Sequence, residues 1–265
     1  MRRSVDLRVS MSVVCAAVMG ILAAFRAASM GPGATRGEAM FFLVLAVLML
    51  LTAAFGAVYW WPGRGAPRVR FVDRAGYVGT EIRARGIVFA LLVLMVTCAG
   101  FLSLGAGVEI VLGNDGLPWV GVILLLVAVP CPVFLAEVAL GHVRSTSLVL
   151  APDGIRSRGW SAESYLPWIS VRRVRMVHHG FPEVLVEGDE GAAWARRRTS
   201  RLFSFDRIPG SPRIEVDARR FAVDPELLHR FLTLYAEQPQ LRRELGTPVA
   251  AERLRSGSLQ VVRSR

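Results

Sequence analysis

Four runs along this chain, at 9–28, 39–61, 87–112 and 117–140, are apolar over about twenty residues or more. A helix of that length crosses the ~30 Å hydrocarbon core of a bilayer, so each run predicts a transmembrane helix. Gly31-Pro32-Gly33 breaks the pattern between the first two, and Gly113-Asn114-Asp115-Gly116 between the last two. Connections this short force antiparallel neighbours, and the four helices read as two hairpins. From His142 onward the pattern changes. Short alternating or apolar runs at 146–150, 155–160, 165–177, 183–187, 193–199, 201–205 and 213–217 are separated by Gly, Pro, Asp or Ser, which predicts about seven strands. Asp224-Pro225-Glu226 then opens a helix, with Asp as N-cap, Pro in the first turn and Glu at the positive end of the helix dipole. Leu227, Leu228, Phe231, Leu234 and Tyr235 make its apolar stripe. Pro239 starts a further short helix, and Gly246 ends it.

The segment at 62–86 fits neither half. Val69 and Phe71 alternate with Arg68 and Arg70, and Val78, Thr80 and Ile82 follow a turn at 73–76, which reads as a basic β-hairpin. A lone hairpin is marginal in water, so it leans on the soluble domain or on the lipid surface; the alternative is a flexible basic loop. The expected organisation is a four-helix membrane region at 1–141 carrying this hairpin, and a soluble domain at 142–246. A basic, largely disordered tail follows at 247–265, ending Arg263-Ser264-Arg265. The expected soluble fold is a small β-barrel or sandwich covered by the Asp224 helix.

Composition agrees with a two-part protein. Hydrophobic residues are 53% of the 265, charged residues only 20%, and mean hydropathy is +0.43, which excludes a disordered chain and an ordinary soluble one. All 32 basic residues are Arg, a usage that a GC-rich genome explains better than selection for phosphate forks does, and net charge is +11. Residues 1–141 carry a net +4 and residues 142–265 a net +7. Arg2, Arg3 and Arg8 precede the first helix, and Arg64, Arg68, Arg70, Arg74, Arg83 and Arg85 lie between the second and third, whereas the first hairpin turn has Arg36 and the second none. The positive-inside rule then places both termini and 62–86 in the cytoplasm of a multi-pass cell-membrane protein. Tyr59-Trp60-Trp61 would anchor the inner interface and Trp119 the outer one. A cleaved signal peptide is the rival reading of the first thirty residues, but the apolar run exceeds the usual ~7–15-residue core and Arg26 sits beside any cleavage point.

Within the membrane region, Ala16, Gly20, Ala24 and Ala28 recur on the first helix and Ala99, Ser103 and Gly107 on the third, and both stripes are expected to face other helices. Arg26, Glu109 and Glu137 are candidate intramembrane polar groups, all near helix ends, where pairing or snorkelling accounts for them better than an ion path. Pro130 and Pro132 are a candidate hinge, because they free carbonyls around Leu126 and Ala128. Cys15, Cys98 and Cys131 lie in apolar runs without metal or disulfide spacing.

The run Leu148-Val149-Leu150-Ala151-Pro152-Asp153-Gly154-Ile155-Arg156-Ser157-Arg158-Gly159-Trp160 is followed by Leu166-Pro167-Trp168-Ile169, with Val171 and Val174. These residues resemble bacterial pleckstrin-homology-like (PH-like) domains. The helix at 224–235, with Pro239 and Arg243-Glu244-Leu245-Gly246, is similar to actinobacterial membrane proteins of that type. The resemblance covers about 142–246 and implies fold and placement far more than activity. Arg156-Ser157-Arg158 resembles the basic element with which some eukaryotic relatives hold phosphoinositides, but the Asp153-Gly154 turn is too short to cradle an inositol phosphate.

Arg172, Arg173, Arg175, Arg196, Arg197, Arg198 and Arg201, with Arg156 and Arg158, make a broader candidate surface for an anionic leaflet or a protein partner. The alternative is a solvated face balanced by Glu187, Asp189 and Glu190. Nucleic acid is not expected, because no aromatic residues interleave with the charge at a groove. Neither is catalysis, a cofactor or a metal. No phosphate loop, nucleophile elbow or metal pair occurs, and His178-His179 beside Gly180 reads as an exposed turn. The expected function is a non-catalytic, membrane-tethered interaction module, the alternative a transporter or channel component gated by its soluble domain.

Overall fold

The structure is a computed structural model that describes residues 2–31, 35–61, 68–74, 77–113, 118–178, 181–206 and 209–259. Pro32-Gly33, Arg64, the tip of the 73–76 turn, the second interhelical turn from Asn114, His179, Gly180 and the terminal Arg263-Ser264-Arg265 lie outside the described residues, as do the side chains of Arg2, Arg3, Arg36 and Arg74. The chain divides into two compact units, Met1–Trp61 with Ile87–Gly141 and Pro62–Gly86 with His142–Arg265.

The first unit is helical: α1 (Arg2–Ala28), α2 (Arg36–Trp60), α3 (Gly86–Gly113), α4 (Pro118–Ala128) and α5 (Pro130–Ala139). Four spans are long and apolar enough to cross a membrane: Leu7–Ala28, Gly37–Trp60, Gly86–Gly113 and, through α4 and α5 together, Pro118–Ala139. The helix breaks at Val129, with Pro130 in the first turn of α5; Pro130 and Pro132 have no N–H for the carbonyls four residues back. The α2 N-terminus carries a full capping box: Thr35 Oγ1 accepts the Glu38 N–H at 3.2 Å, and Glu38 Oε2 accepts the Thr35 N–H at 3.0 Å.

Helices approach where a side chain is missing. A Cβ on Gly20 would lie 2.9 Å from Leu50 and 3.2 Å from the Ala46 carbonyl of α2. On α1, Gly20 and Ala23 are buried while Ala24 and Ala28 are exposed, which corrects the expected stripe. Steps of four residues advance about 40° each around a 3.6-residue helix, so only mixed steps of three and four stay on one face. On α3 the stripe holds: Ala99 and Ser103 are half-buried and Gly107 is buried.

The second unit holds nine strands among the described residues, in two antiparallel sheets. One has the order β1-β2-β3-β4-β5-β8, from β1 (Val69–Arg74), β2 (Tyr77–Arg83), β3 (Ser147–Leu150), β4 (Gly154–Arg158), β5 (Ala162–Pro167) and β8 (Ala195–Arg198). The other is β6-β7-β9, from β6 (Val171–His178), β7 (Pro182–Gly188) and β9 (Arg213–Asp217). Helix α6 (Pro225–Glu237) packs on β6 and β7, and α7 (Pro248–Ser256) follows a 3-10 turn at Pro239–Glu244. The core joins Val69 and Ile82 of the hairpin to Leu148, Ile155, Leu166, Val184, Val216 and the α6 residues Leu228, Phe231, Leu232 and Tyr235. The hairpin is therefore part of this unit, paired through Ile82 opposite Leu148, and the unit extends beyond the expected 142–246 at both ends.

Three other expectations are corrected. The run at 165–177 is two strands, because a 3-10 turn at Trp168–Ser170 carries the chain from one sheet to the other; Trp168 is buried there, its indole N–H donating to the Ala151 carbonyl at 2.7 Å. Residues 201–205 form no strand, because serine side chains take up their backbone N–H groups: Phe203 donates to Ser200 Oγ and Phe205 to Ser161 Oγ, both at 3.0 Å. The stretch 247–265 is not a disordered tail as a whole. Pro248 opens α7, Ala250, Ala251 and Leu254 are buried, and Gly257 closes it at φ +69°.

Candidate functional site

The outer face of the six-stranded sheet gathers the Arg156–Arg158 motif. Cross-strand register sets Arg70, Glu81, Val149, Arg156, Tyr165 and Ala195 in one row, with Arg83, Ser147, Arg158, Glu163 and Arg197 in the next. Between them runs a groove of about 340 Å³ lined by Val72, Glu81, Val149, Arg156, Tyr165 and Arg197 among others. The motif guanidiniums in it, and that of Arg83 beside it, are already engaged. Arg156 lies 3.1 Å from Asp153 and 4.6 Å over the Tyr165 ring, Arg158 is 2.7 Å from Glu163, and Arg83 is 2.8 Å from Glu81. Tyr165 donates its hydroxyl to Asp153 at 3.0 Å; partial burial first, then the Asp153 carboxylate, push its phenol above the ordinary range. A phosphate here would have to displace carboxylates from both motif arginines, so the groove has the chemistry of a mixed-charge surface.

The remaining basic candidates split in two. Arg173 and Arg175 of β6 both bond Glu187 of β7, Arg175 at 2.7 Å, and Arg196 bonds the Pro209 carbonyl with its guanidinium 5.2 Å over Trp194. Arg172, Arg197, Arg198 and Arg201 are exposed and, among the described residues, without an acidic partner. Two of these lie on β8, the edge strand, where charge also discourages pairing with another sheet. Hydrogen bonding from Arg173, with Arg175 adding to it, holds the Glu187 carboxyl below the usual carboxylate range. A depressed folded-state pKa supplies stability at neutral pH that is lost as pH falls through the carboxylate range. Glu187→Gln is therefore expected to flatten the acid limb of the unfolding profile of the full chain in detergent micelles; an unchanged limb would mean that this clamp contributes nothing.

In the helical unit Arg26 and Glu109 are not brought together. Arg26 stands 5.7 Å from the centroid of the Phe42 ring, and the Glu109 carboxylate lies against the first turn of α2, 3.3 Å from where a Gly37 Cβ would be. Glu137 is half-buried on α5. Among the described residues no three His, Cys, Asp or Glu side chains converge as a metal site would require.

A polar hub escaped sequence reasoning. Asp206 Oδ2 accepts the Ser161 N–H at 2.6 Å, and Oδ1 takes Arg220 at 3.2 Å; Arg220 also reaches Asp217 at 3.7 Å and lies 4.6 Å over Trp160. The carboxylate fills the space beside Gly159, where a Cβ would meet it at 2.4 Å. Ser161 and Ser200 are almost fully buried, and between them they fix the backbone of the loop after β8. Ser161 and Asp206 are 45 residues apart, a separation that carries no local signal.

Compared with family models, with curated proteins and with solved structures, the chain matches none of them. The features above thus define its class by themselves: four helices able to span a membrane, and a separate antiparallel β unit bearing a C-terminal helix.

Proposed function

We propose that the chain is a multi-pass cell-membrane protein presenting a PH-like domain at the cytoplasmic face, where unneutralised guanidiniums engage an anionic leaflet or a protein partner without catalysis. The Arg distribution beside the helix ends supports that orientation. The observation that carries the reading is the edge of the β unit, where Arg197, Arg198 and Arg201 are exposed and, among the described residues, free of acids, while Arg156, Arg158, Arg173 and Arg175 are paired with carboxylates. Each exposed Arg near an anionic leaflet contributes about 1 kcal/mol of attraction, which salt screens.

A photoreactive amino acid in place of Arg197, in the full chain in its membrane, tests this. It is expected to form adducts with anionic lipid or with one defined protein. Arg198→Gln with Arg201→Gln should lower lipid adducts roughly thirtyfold. Adducts confined to copies of the chain itself would overturn the proposal.

A further inference from the structure

We infer that the loop after β8 is a lipid-insertion element, with Leu202 and Phe205 entering the headgroup–acyl boundary of an anionic leaflet while Arg198 and Arg201 meet its phosphates. This deepens the reading above and rests on it. Leu202 is 68% exposed and Phe205 39%. Single exposed apolar residues are ordinary on a protein surface; here the exposure is built. Buried Ser200 and Ser161 accept the backbone N–H groups of Phe203 and Phe205, Asp206 pins the end of the loop to Ser161, and Phe205 stacks on Phe203 with centroids 5.6 Å apart and meets Trp160 edge-on at 6.1 Å. The fold thus holds two apolar side chains in water, beside cations and an aromatic group of the kind that favours membrane interfaces.

The choice of lipid as occupant follows from where the chain leaves this unit. At the same end of the sheet, Arg83 N–H donates to the Arg68 carbonyl, Ala84 N–H to Thr146, Arg85 N–H to Arg220, and Thr199 Oγ1 to the His142 carbonyl at 2.6 Å. From Arg85 the chain passes directly into α3, and His142 follows shortly after α5. A leaflet holding those helices is tethered covalently to this end of the unit, so its effective concentration there is high. Ile169 provides the contrast. It is 90% exposed, but it lies beyond Pro167, at the opposite end of β5 from Ala162, which pairs with Arg198.

The test uses the full chain with Cys15, Cys98 and Cys131 replaced by Ala and a single cysteine, Leu202→Cys or Ile169→Cys, carrying an environment-sensitive fluorophore. The protein is reconstituted into vesicles of phosphatidylcholine with or without phosphatidylglycerol, containing lipids spin-labelled on the acyl chain. The probe at 202 is expected to be blue-shifted and quenched several-fold more than the probe at 169, and more in anionic than in neutral vesicles. Asp206→Asn, which loosens the loop without touching the probe, should lower the quenching, and Arg201→Glu should lower it only in anionic vesicles. Equal, water-like emission at 202 and 169 would overturn the inference. Equal quenching in both vesicle types would overturn the role given to Arg198 and Arg201. Lipid adducts at position 197 with a water-exposed probe at 202 would remove the insertion alone and leave the broader function standing.

Discussion

Phe231→Ala is expected to destabilise the β unit by about 3–5 kcal/mol, the largest effect of any single change considered. Phe231 is fully buried on α6, its ring 5.0 Å from that of Tyr235 in an edge-to-face pair, within the cluster that joins hairpin, sheets and helix. Removing it leaves a cavity that two sheets and a helix cannot all collapse to fill. Domains of this size have only about 5–15 kcal/mol in total, so a large share would be lost. Hydrogen exchange on the full chain in detergent reads the change directly. Amides of β6 and β7, which α6 covers, should exchange roughly a hundred- to several-thousand-fold faster, and those of α1 and α2 should not change. An effect under tenfold would show that α6 is not part of the core.

Gly121→Ile is the second large case, and it lies in the helical unit. A Cβ at Gly121 would sit 2.7 Å from Val111 Cγ2 and 3.0 Å from the Gly107 carbonyl, so α3 and α4 meet backbone to backbone at two glycines. In lipid, helices associate through such close packing and not through burial from water. A branched side chain must push the helices apart, at about 1–3 kcal/mol or more. The thermal midpoint of the detergent-solubilised chain should fall by roughly 4–10 °C. Gly105→Ala on α3, whose Cβ would meet nothing within 4 Å, should leave it unchanged. Equal midpoints for the two variants would contradict this packing.

What the sequence made legible follows from the range of the forces involved. The four spans are read from local hydropathy alone, because a hydrocarbon core constrains every residue of a run in the same way. The cap of α6 was also legible: Asp224 accepts the N–H groups of Glu226 and Leu227 at 2.9 and 3.2 Å, a motif complete within four residues. The 201–205 stretch has the pattern of a strand, but Ser200 takes the Phe203 N–H and Ser161, some forty residues earlier, those of Phe205 and Asp206. Helix α7 was hidden because its apolar face is Ala250, Ala251 and Leu254, a stripe too slight to outweigh the polar residues around it.

The basic surface was the least legible part. Arg158 and Glu163 meet only through the β4–β5 register, and Arg175 and Glu187 only through β6–β7. A list of arginines therefore could not separate those already neutralised from Arg172, Arg197, Arg198 and Arg201. Arg219, almost buried beside Asp217 at 2.9 Å and over the Phe181 ring at 3.4 Å, is structural for the same reason.

Reporter fusions in the intact full-length chain measure most directly which side of a membrane each segment occupies. Alkaline phosphatase, active only outside the cytoplasm, should report when fused after Gly31 or Gly113 and stay silent after Trp61 or at the C-terminus; a fluorescent protein that matures only in the cytoplasm should give the reverse. Phosphatase activity after Trp61 or at the C-terminus, or a chain that remains monodisperse without detergent, would contradict this topology.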